Sequence, residues 1–340
     1  MKKNLMSRLS ALALTVIIAV TATGCNNAAT SGEPANSETT SQVTEFPNAK
    51  VSISDGKFTV DGKELWINGV NTPWQNWNDF CGNMEEDFWD KTFEELVSDG
   101  INCTRIWINC NGEGVVRLKS TGAIKSINEQ HWEDLDKLFA LAEKHRIYIM
   151  PTLLSFDHFK DSNGAAEKWR KLVTSKENCD DYAEQYVKEF CKRYGENEYL
   201  FGIDLMNEPD WVHENTECGQ LKWSELCYLF GKCAAVIHET CSTPVTVGLG
   251  IVKYNSDKYE GDKISDENLK KVTGDDKAYV DFYSTHYYMW EKQYFGFPFD
   301  KTPEQFGLKT DKPCLIGETS NDDEKEAGMT LTEKYKSTYD

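Results

Sequence analysis

The sequence has no Cys-x-x-Cys pair and no His-x-x-x-His spacing, although it holds 11 cysteines and 6 histidines, so no metal centre is suggested and no cofactor is called for. Positive charge is scarce: 37 Lys and Arg stand against 56 Asp and Glu, a net charge of −19. Nucleic acid and anionic membrane surfaces would repel such a chain, whereas a neutral ligand would not. No Gly-x-Gly-x-x-Gly follows the first candidate strand, which leaves nucleotide binding without support. The apolar run over residues 9–20 is too short for a comfortable membrane span.

That short run is flanked as a targeting segment is. Lys2, Lys3 and Arg8 precede it, and Ala22-Thr23-Gly24-Cys25 follows with small residues. The site resembles a bacterial lipoprotein processing site, which implies lipidation of Cys25, with plain secretion as the alternative because Ala22 stands where Leu is usual. The expectation is therefore an extracytoplasmic protein, a cell-surface lipoprotein or a secreted one, that meets the membrane only through a lipid anchor. Residues 26–46 carry Ser, Thr, Asn, Glu, Ala and Pro with almost nothing to bury, and read as a disordered tether between a signal peptide at 1–25 and a single folded domain at 47–340. The ten cysteines after Cys25 permit disulfides in an exported chain, but most read as small buried hydrophobes; Cys227, Cys233 and Cys241 are expected on one helix.

Aromatic residues make up 12% of the chain, and flat sugar faces stack on such rings. A hairpin is expected around Asp61-Gly62, and Trp66-Ile-Asn-Gly-Val-Asn71 reads as a first strand. Helical periodicity then alternates with apolar runs at 102–108, 147–154, 201–206, 245–249, 281–288 and 314–318, with Ser126 and Glu129 as a capping-box signature before the second helix. Repeated strand–helix units specify an α/β fold with parallel strands, either a doubly wound sheet or a (β/α)8 TIM barrel. The run at 201–206 ends in Asn207-Glu208-Pro209, where proline removes a donor and is expected to hold Glu208 extended. About a hundred residues later Pro313-Cys-Leu-Ile-Gly317 ends in Glu318. In a barrel, function lies at the carboxyl ends of strands. Those ends carry Asn71, Trp74 and Trp77, Arg105 and Asn109, Asp157 and His158, Glu208, His286 and Tyr288, then Glu318.

Asn207-Glu208-Pro209 at the fourth strand, Glu318 at the seventh, Arg105 at the second and His286-x-Tyr288 at the sixth resemble glycoside hydrolase family 5, the retaining cellulase and β-mannanase family, from about Trp66 to Ser320. The resemblance implies a TIM barrel in which Glu208 is the acid/base and Glu318 the nucleophile. It also implies that Arg105 holds Glu318 ionised, Tyr288 donates to it, and Asn207 meets the substrate's 2-hydroxyl. A retaining glycosidase needs two carboxyl groups about 5–5.5 Å apart. His286 and His158 are further candidates, and Trp74, Trp77 and Trp211 are candidate sugar platforms, whereas His131, His145 and His238 read as structural. The second-strand region and His131-Trp-Glu-Asp-Leu-Asp-Lys-Leu look more like the β-mannanase branch than the commonest cellulases. The expectation is a retaining endo-β-1,4-glycan hydrolase acting on neutral β-linked polysaccharide, with mannan or glucomannan favoured over cellulose-type glucan. The alternatives are a catalytically silent carbohydrate-binding surface lipoprotein and a transglycosylase of the same fold. Family members supply a tryptophan from an eighth strand, and this sequence stops before one, so the expected barrel is truncated there.

Overall fold

In the computed structural model of the chain, residues 50–296 and 301–319 are described, and all lie within one unit, Phe46–Asp340. Seven parallel strands stand side by side in chain order: β1 Gly69–Asn71, β2 Cys103–Trp107, β3 Tyr148–Thr152, β4 Ile203–Asn207, β5 Val245–Leu249, β6 Tyr283–Tyr287 and β7 Cys314–Thr319. Strands β2 to β6 are buried at every position, which is why they read as continuous apolar runs rather than alternating ones. The sheet curls so far that Asn71 Nδ2 on β1 donates to the Gly317 carbonyl on β7 at 2.8 Å. This is the expected TIM-barrel architecture, traced through seven strands of the described residues. The expected signal peptide with Cys25 and the expected tether lie outside them.

Helices cover the outside: α1 Glu86–Ser98, α2 Glu129–His145, α3 Ala166–Thr174, α4 over 176–194 with one wider π turn at Ala183–Val187, α5 Pro209–Glu214, α6 Trp223–Thr240 and α7 Asp266–Thr273. Their apolar stripes, such as Trp89 and Phe93 on α1 or Leu135, Leu138 and Phe139 on α2, pack on the strands in one continuous core. No helix among the described residues is long and apolar enough to cross a membrane.

The hairpin forms as its turn residues dictate. Lys57–Val60 pairs with Lys63–Glu64, and Asp61 and Gly62 both take positive φ, 51° and 71°. With Ser52–Ser54 it makes a three-stranded ribbon. Its Phe58 packs on Phe201 and Phe282, ring centroids 4.9 and 5.2 Å away, just before β4 and β6. The ribbon thus seals the amino end of the barrel with an apolar plug of its own.

Three local expectations are corrected. Helix α2 is capped by Asn128, whose side chain accepts from the Gln130 amide, while Ser126 belongs to a strand, Ile124–Ile127, paired with Val116–Leu118. A better cap sits two residues beyond Ser126. Cys241 lies just past the end of α6 and is partly exposed, whereas Cys227 and Cys233 on that helix are buried. Glu208 is not extended: it has φ 49° and ψ 55°, left-handed, and caps α5 with Pro209 at the first helical position. Its amide donates to the Gly248 carbonyl of β5 at 2.7 Å, and that bond at the barrel rim overrides the preference imposed by the following proline.

Candidate active site

Parallel register brings the predicted residues to one rim. Asn71 pairs with Arg105, Asn207 with Gly248, Gly248 with Ser284, and His286 with Glu318. Irregularities at Thr246/Gly248 and Thr285/His286 break the ladder beside the site, as bulges do where a side chain is re-aimed.

Arg105 is the hub. Nε donates to Asp204 Oδ2 at 3.0 Å, Nη1 to Asn71 Oδ1 at 3.0 Å and Glu318 Oε1 at 2.6 Å, and Nη2 to Asp204 Oδ2 at 2.7 Å and Asn207 Oδ1 at 2.8 Å. The guanidinium thus makes five hydrogen bonds to four acceptor atoms, Asp204 Oδ2 taking two of them, which is the satisfaction a buried guanidinium requires. Asp204, fully buried on β4, also accepts from Thr152 Oγ1, Gly248 N and Met206 N. The sequence shows Asp204 only as a polar interruption of an apolar run; its role as counter-ion becomes visible once Arg105 faces it across the barrel.

Glu318 also accepts from Tyr288 Oη at 2.6 Å. Burial alone would raise its carboxyl, but His286, Arg105 and the Tyr288 hydroxyl outweigh burial and hold it below the usual carboxylate range. Tyr288 moves the other way, pushed up by burial and by the carboxylate it bonds. Glu208 accepts from Trp211 Nε1 at 3.1 Å through Oε2, and its Oε1 lies 3.0 Å from His286 Nδ1. One ligand atom each of Glu208, His286 and Glu318 fall within 4.8 Å of one another. The facing carboxylate oxygens of Glu208 and Glu318 are thus close together, as the narrowly spaced carboxyl pair of a retaining glycosidase requires. The same three atoms would also suit a divalent cation by donor type.

Three glycines make room. A Cβ on Gly248 would meet His286 Nε2 at 2.9 Å, one on Gly317 would meet the same atom at 2.9 Å, and one on Gly250 would meet Glu208 Cδ at 2.8 Å. Aromatic rings line both flanks: Trp74 lies 4.9 Å from Trp77 and 5.0 Å from Trp107, and the cleft beside Glu318 is lined by Asn71, Trp74, Trp107 and Tyr288. Trp211 stands beside Glu208 and 6.1 Å from Trp290, between ring centroids. Trp107 and Trp290 were not singled out from sequence, although Trp107 closes the second strand as the other candidates close theirs.

Two carboxyl groups behind Glu208 were also missed. Asp210 is fully buried, accepts from Gly250 N and is raised well above the usual range by burial and by Glu208. Glu291 is buried and pushed up to about 8 by the same causes, against opposing bonds from Val252 N and Tyr288 N. His158 is not brought to the group. Its Nδ1 is tied to Ser155 in a capping turn, its ring stands edge-on to Trp169 at 4.6 Å, and burial pushes it down to about 3. His131 and His238, read as structural, bond Phe80 O with Tyr186 and Lys277 O with Asp281 respectively.

The parallel barrel, with charged and aromatic side chains on one rim and two carboxylates at the ends of β4 and β7, is a TIM-barrel fold. The solved structures it matches have that fold. They include β-mannanase from the blue mussel Mytilus edulis, TM-score 0.71, 22% identical, covering 79% of this chain and 82% of that one. The β-1,4-mannanase of the sea hare Aplysia kurodai gives TM-score 0.75, 22% identity, and 85% and 89% coverage. In sequence, a mannan endo-1,4-β-mannosidase of Mytilus edulis is 25% identical over 324 residues, 86% of this chain and 85% of that protein. A mannan endo-1,4-β-mannosidase A of Podospora anserina is 25% identical over 177 residues, 47% of this chain and 45% of that protein. No family model matches. The Mytilus and Podospora relatives are mannan endo-1,4-β-mannosidases by description, each 25% identical to this chain over the matched residues.

Proposed function

We propose that this protein is a retaining endo-β-1,4-mannanase, an O-glycosyl hydrolase that cleaves mannan or glucomannan. The observation that carries the reading is the Glu208–His286–Glu318 cluster within 4.8 Å, with Glu318 fixed by Arg105 and Tyr288. Glu318, held ionised, attacks the anomeric carbon, and Glu208 hands its proton to the leaving oxygen. The glycosyl–Glu318 ester then forms, and Glu208, now a base, takes a proton from the water that hydrolyses it. Arg105 holds the Asn207 amide oxygen, so the amide NH2 points away from the guanidinium and suits the 2-hydroxyl.

The test is incubation with mannan, glucomannan, carboxymethylcellulose, xyloglucan and xylan, following reducing ends and the anomer first released. Mannan or glucomannan should be cleaved fastest, with the β-anomer appearing first. Cleavage of xylan alone would overturn the substrate, the α-anomer first would overturn the mechanism, and no cleavage at all would favour a silent binding protein. Accumulation of longer oligomers would mark a transglycosylase.

We infer further that the chain is exported and anchored through a lipid on Cys25, supported by the basic and apolar segment before Gly24-Cys25. Cys25→Ser should move the protein from the membrane fraction to the soluble one, and unchanged membrane association would refute the anchor.

A further inference from the structure

Behind the two carboxyls of the rim runs a second set of hydrogen bonds, which joins the elements that carry them. Glu208 caps α5, and two residues on Asp210 is fully buried, with its Oδ1 accepting from Gly250 N at 2.8 Å. Gly250 directly follows β5 and lies against Glu208, since a Cβ there would meet Glu208 Cδ at 2.8 Å. On the other side, Tyr288 directly follows β6, and its hydroxyl donates to Glu318 at 2.6 Å. Glu291 bridges these two segments. Its Oε2 accepts from Val252 N, two residues past Gly250, and its Oε1 accepts from Tyr288 N, both at 3.3 Å.

Half of this arrangement is local. A glutamate at the third position of a helical turn reaches back to the amide of the capping residue, and Glu291 N donates in return to the Tyr288 carbonyl at 2.9 Å. A glutamate that did only this would keep its second oxygen in water. Glu291 has no exposed surface, and it commits that oxygen to the opening amide of another turn, Val252–Tyr254, an amide that has no partner within its own turn. Val252 also shares an apolar cluster with Tyr287 and Phe306, which packs the same two segments together. Burying a carboxyl is costly, and serving two amides from different segments takes a side chain with two acceptor oxygens. Burial pushes Glu291 up to about 8 against the pull of these amides, and in either protonation state both oxygens can accept.

We propose that Glu291 is a positioning residue that clamps the segment after β5 to the segment after β6 and so fixes the distance between Glu208 and Glu318, a role that presupposes these two as the catalytic pair. The path runs from Glu208 through Gly250 and Val252 to Glu291, and from there through Tyr288 to Glu318. Asp210 secures its Glu208 end through Gly250 N. Both oxygens of Glu291 are spent on backbone amides, so its influence reaches the reaction through Tyr288 and Gly250.

The experiment combines a double-mutant cycle with hydrogen exchange. Gln offers one acceptor oxygen in place of two, so Glu291→Gln breaks the clamp while keeping the side chain's shape. It should lower kcat on mannan roughly 10- to 100-fold with KM within about twofold, because it displaces reacting groups rather than sugar-binding rings. In a Tyr288→Phe background the same substitution should cost no more than about threefold, since the bond it positions is already gone. Equal fold-losses in both backgrounds are what a general structural defect would give, and they would overturn the proposal, as would an unchanged kcat in Glu291→Gln. In the natural chain, site-resolved hydrogen exchange should find the Val252 and Tyr288 amides at least about a hundredfold slower than an unprotected amide. Unprotected exchange at either amide would overturn the clamp whether or not a variant folds. A natural chain inert on mannan would refute the catalytic reading instead, and exchange at the same two amides would still judge the clamp.

Discussion

Arg105 ties together both halves of the rim, since Asn71, Asp204, Asn207 and Glu318 all accept from it. Arg105→Ala would leave Asp204 buried and uncompensated, and should lower stability by about 3–5 kcal/mol, measured by denaturant unfolding. A loss below about 1 kcal/mol would show that the buried pair does not bear on the fold. Glu318→Ala should bring turnover of an aryl β-mannoside to background, and azide should restore it with an α-mannosyl azide product; appreciable turnover without azide would remove Glu318 as nucleophile. Glu208→Gln should cost about 10²–10⁴-fold on mannan but far less on a dinitrophenyl glycoside, whose leaving group needs no proton. Equal losses on both would deny Glu208 the acid role. These residues were legible because a charged group that ends an apolar strand has no packing purpose. The left-handed Glu208 was not, since the amide bond to Gly248 O that holds it comes from a neighbouring strand. Asp204 was likewise hidden, because its partner is distant in sequence.

Strands place the side chains, and the glycines between them fix how closely the rings can sit. His286 on β6 lies between Gly248 on β5 and Gly317 on β7, so Gly248→Ala should displace it from Glu208, costing about 1–3 kcal/mol of stability as well as kcat. A variant with unchanged kcat would mean that the ring can shift without consequence. The strand order could be read from alternating periodicity, but these contacts could not, because glycine in a strand signals close approach without naming what approaches. Helices and loops add buried titrating groups of opposite sign. His131 and His158, pushed down by burial to about 4 and about 3, stay neutral in the fold, so their destabilising influence grows as pH falls from about 6.5 toward those values. Glu291 stays protonated in the fold up to about 8, while the unfolded chain ionises it above about 4.5, so its influence destabilises as pH rises across that window. Glu291→Gln should flatten the fall of Tm between about pH 5 and 8 relative to the unsubstituted protein; identical slopes would show that the Glu291 proton is not held.

At the scale of the whole molecule, the net charge of −19 surrounds a rim whose cationic hub, Arg105, is already committed to two carboxylates. A neutral mannan chain approaching Trp74, Trp107 and Trp211 meets aromatic faces and the site's own hydrogen-bonding groups, and its encounter should be indifferent to ionic strength. A carboxymethylated glucan brings fixed negative charge into that field and is repelled over roughly the Debye length, about 30 Å at 10 mM salt and less than 10 Å at a few hundred millimolar. Raising salt across that interval should therefore increase kcat/KM on carboxymethylated glucan several-fold while leaving glucomannan within a factor of about two. The ratio of the two slopes isolates the charge effect, because both polymers share the β-1,4 backbone and any general action of salt on the enzyme divides out. Parallel slopes would show that the excess carboxylates lie too far from the cleft to shape its choice of substrate, and discrimination would then rest on the contacts around Asn207, His286 and Tyr288 alone.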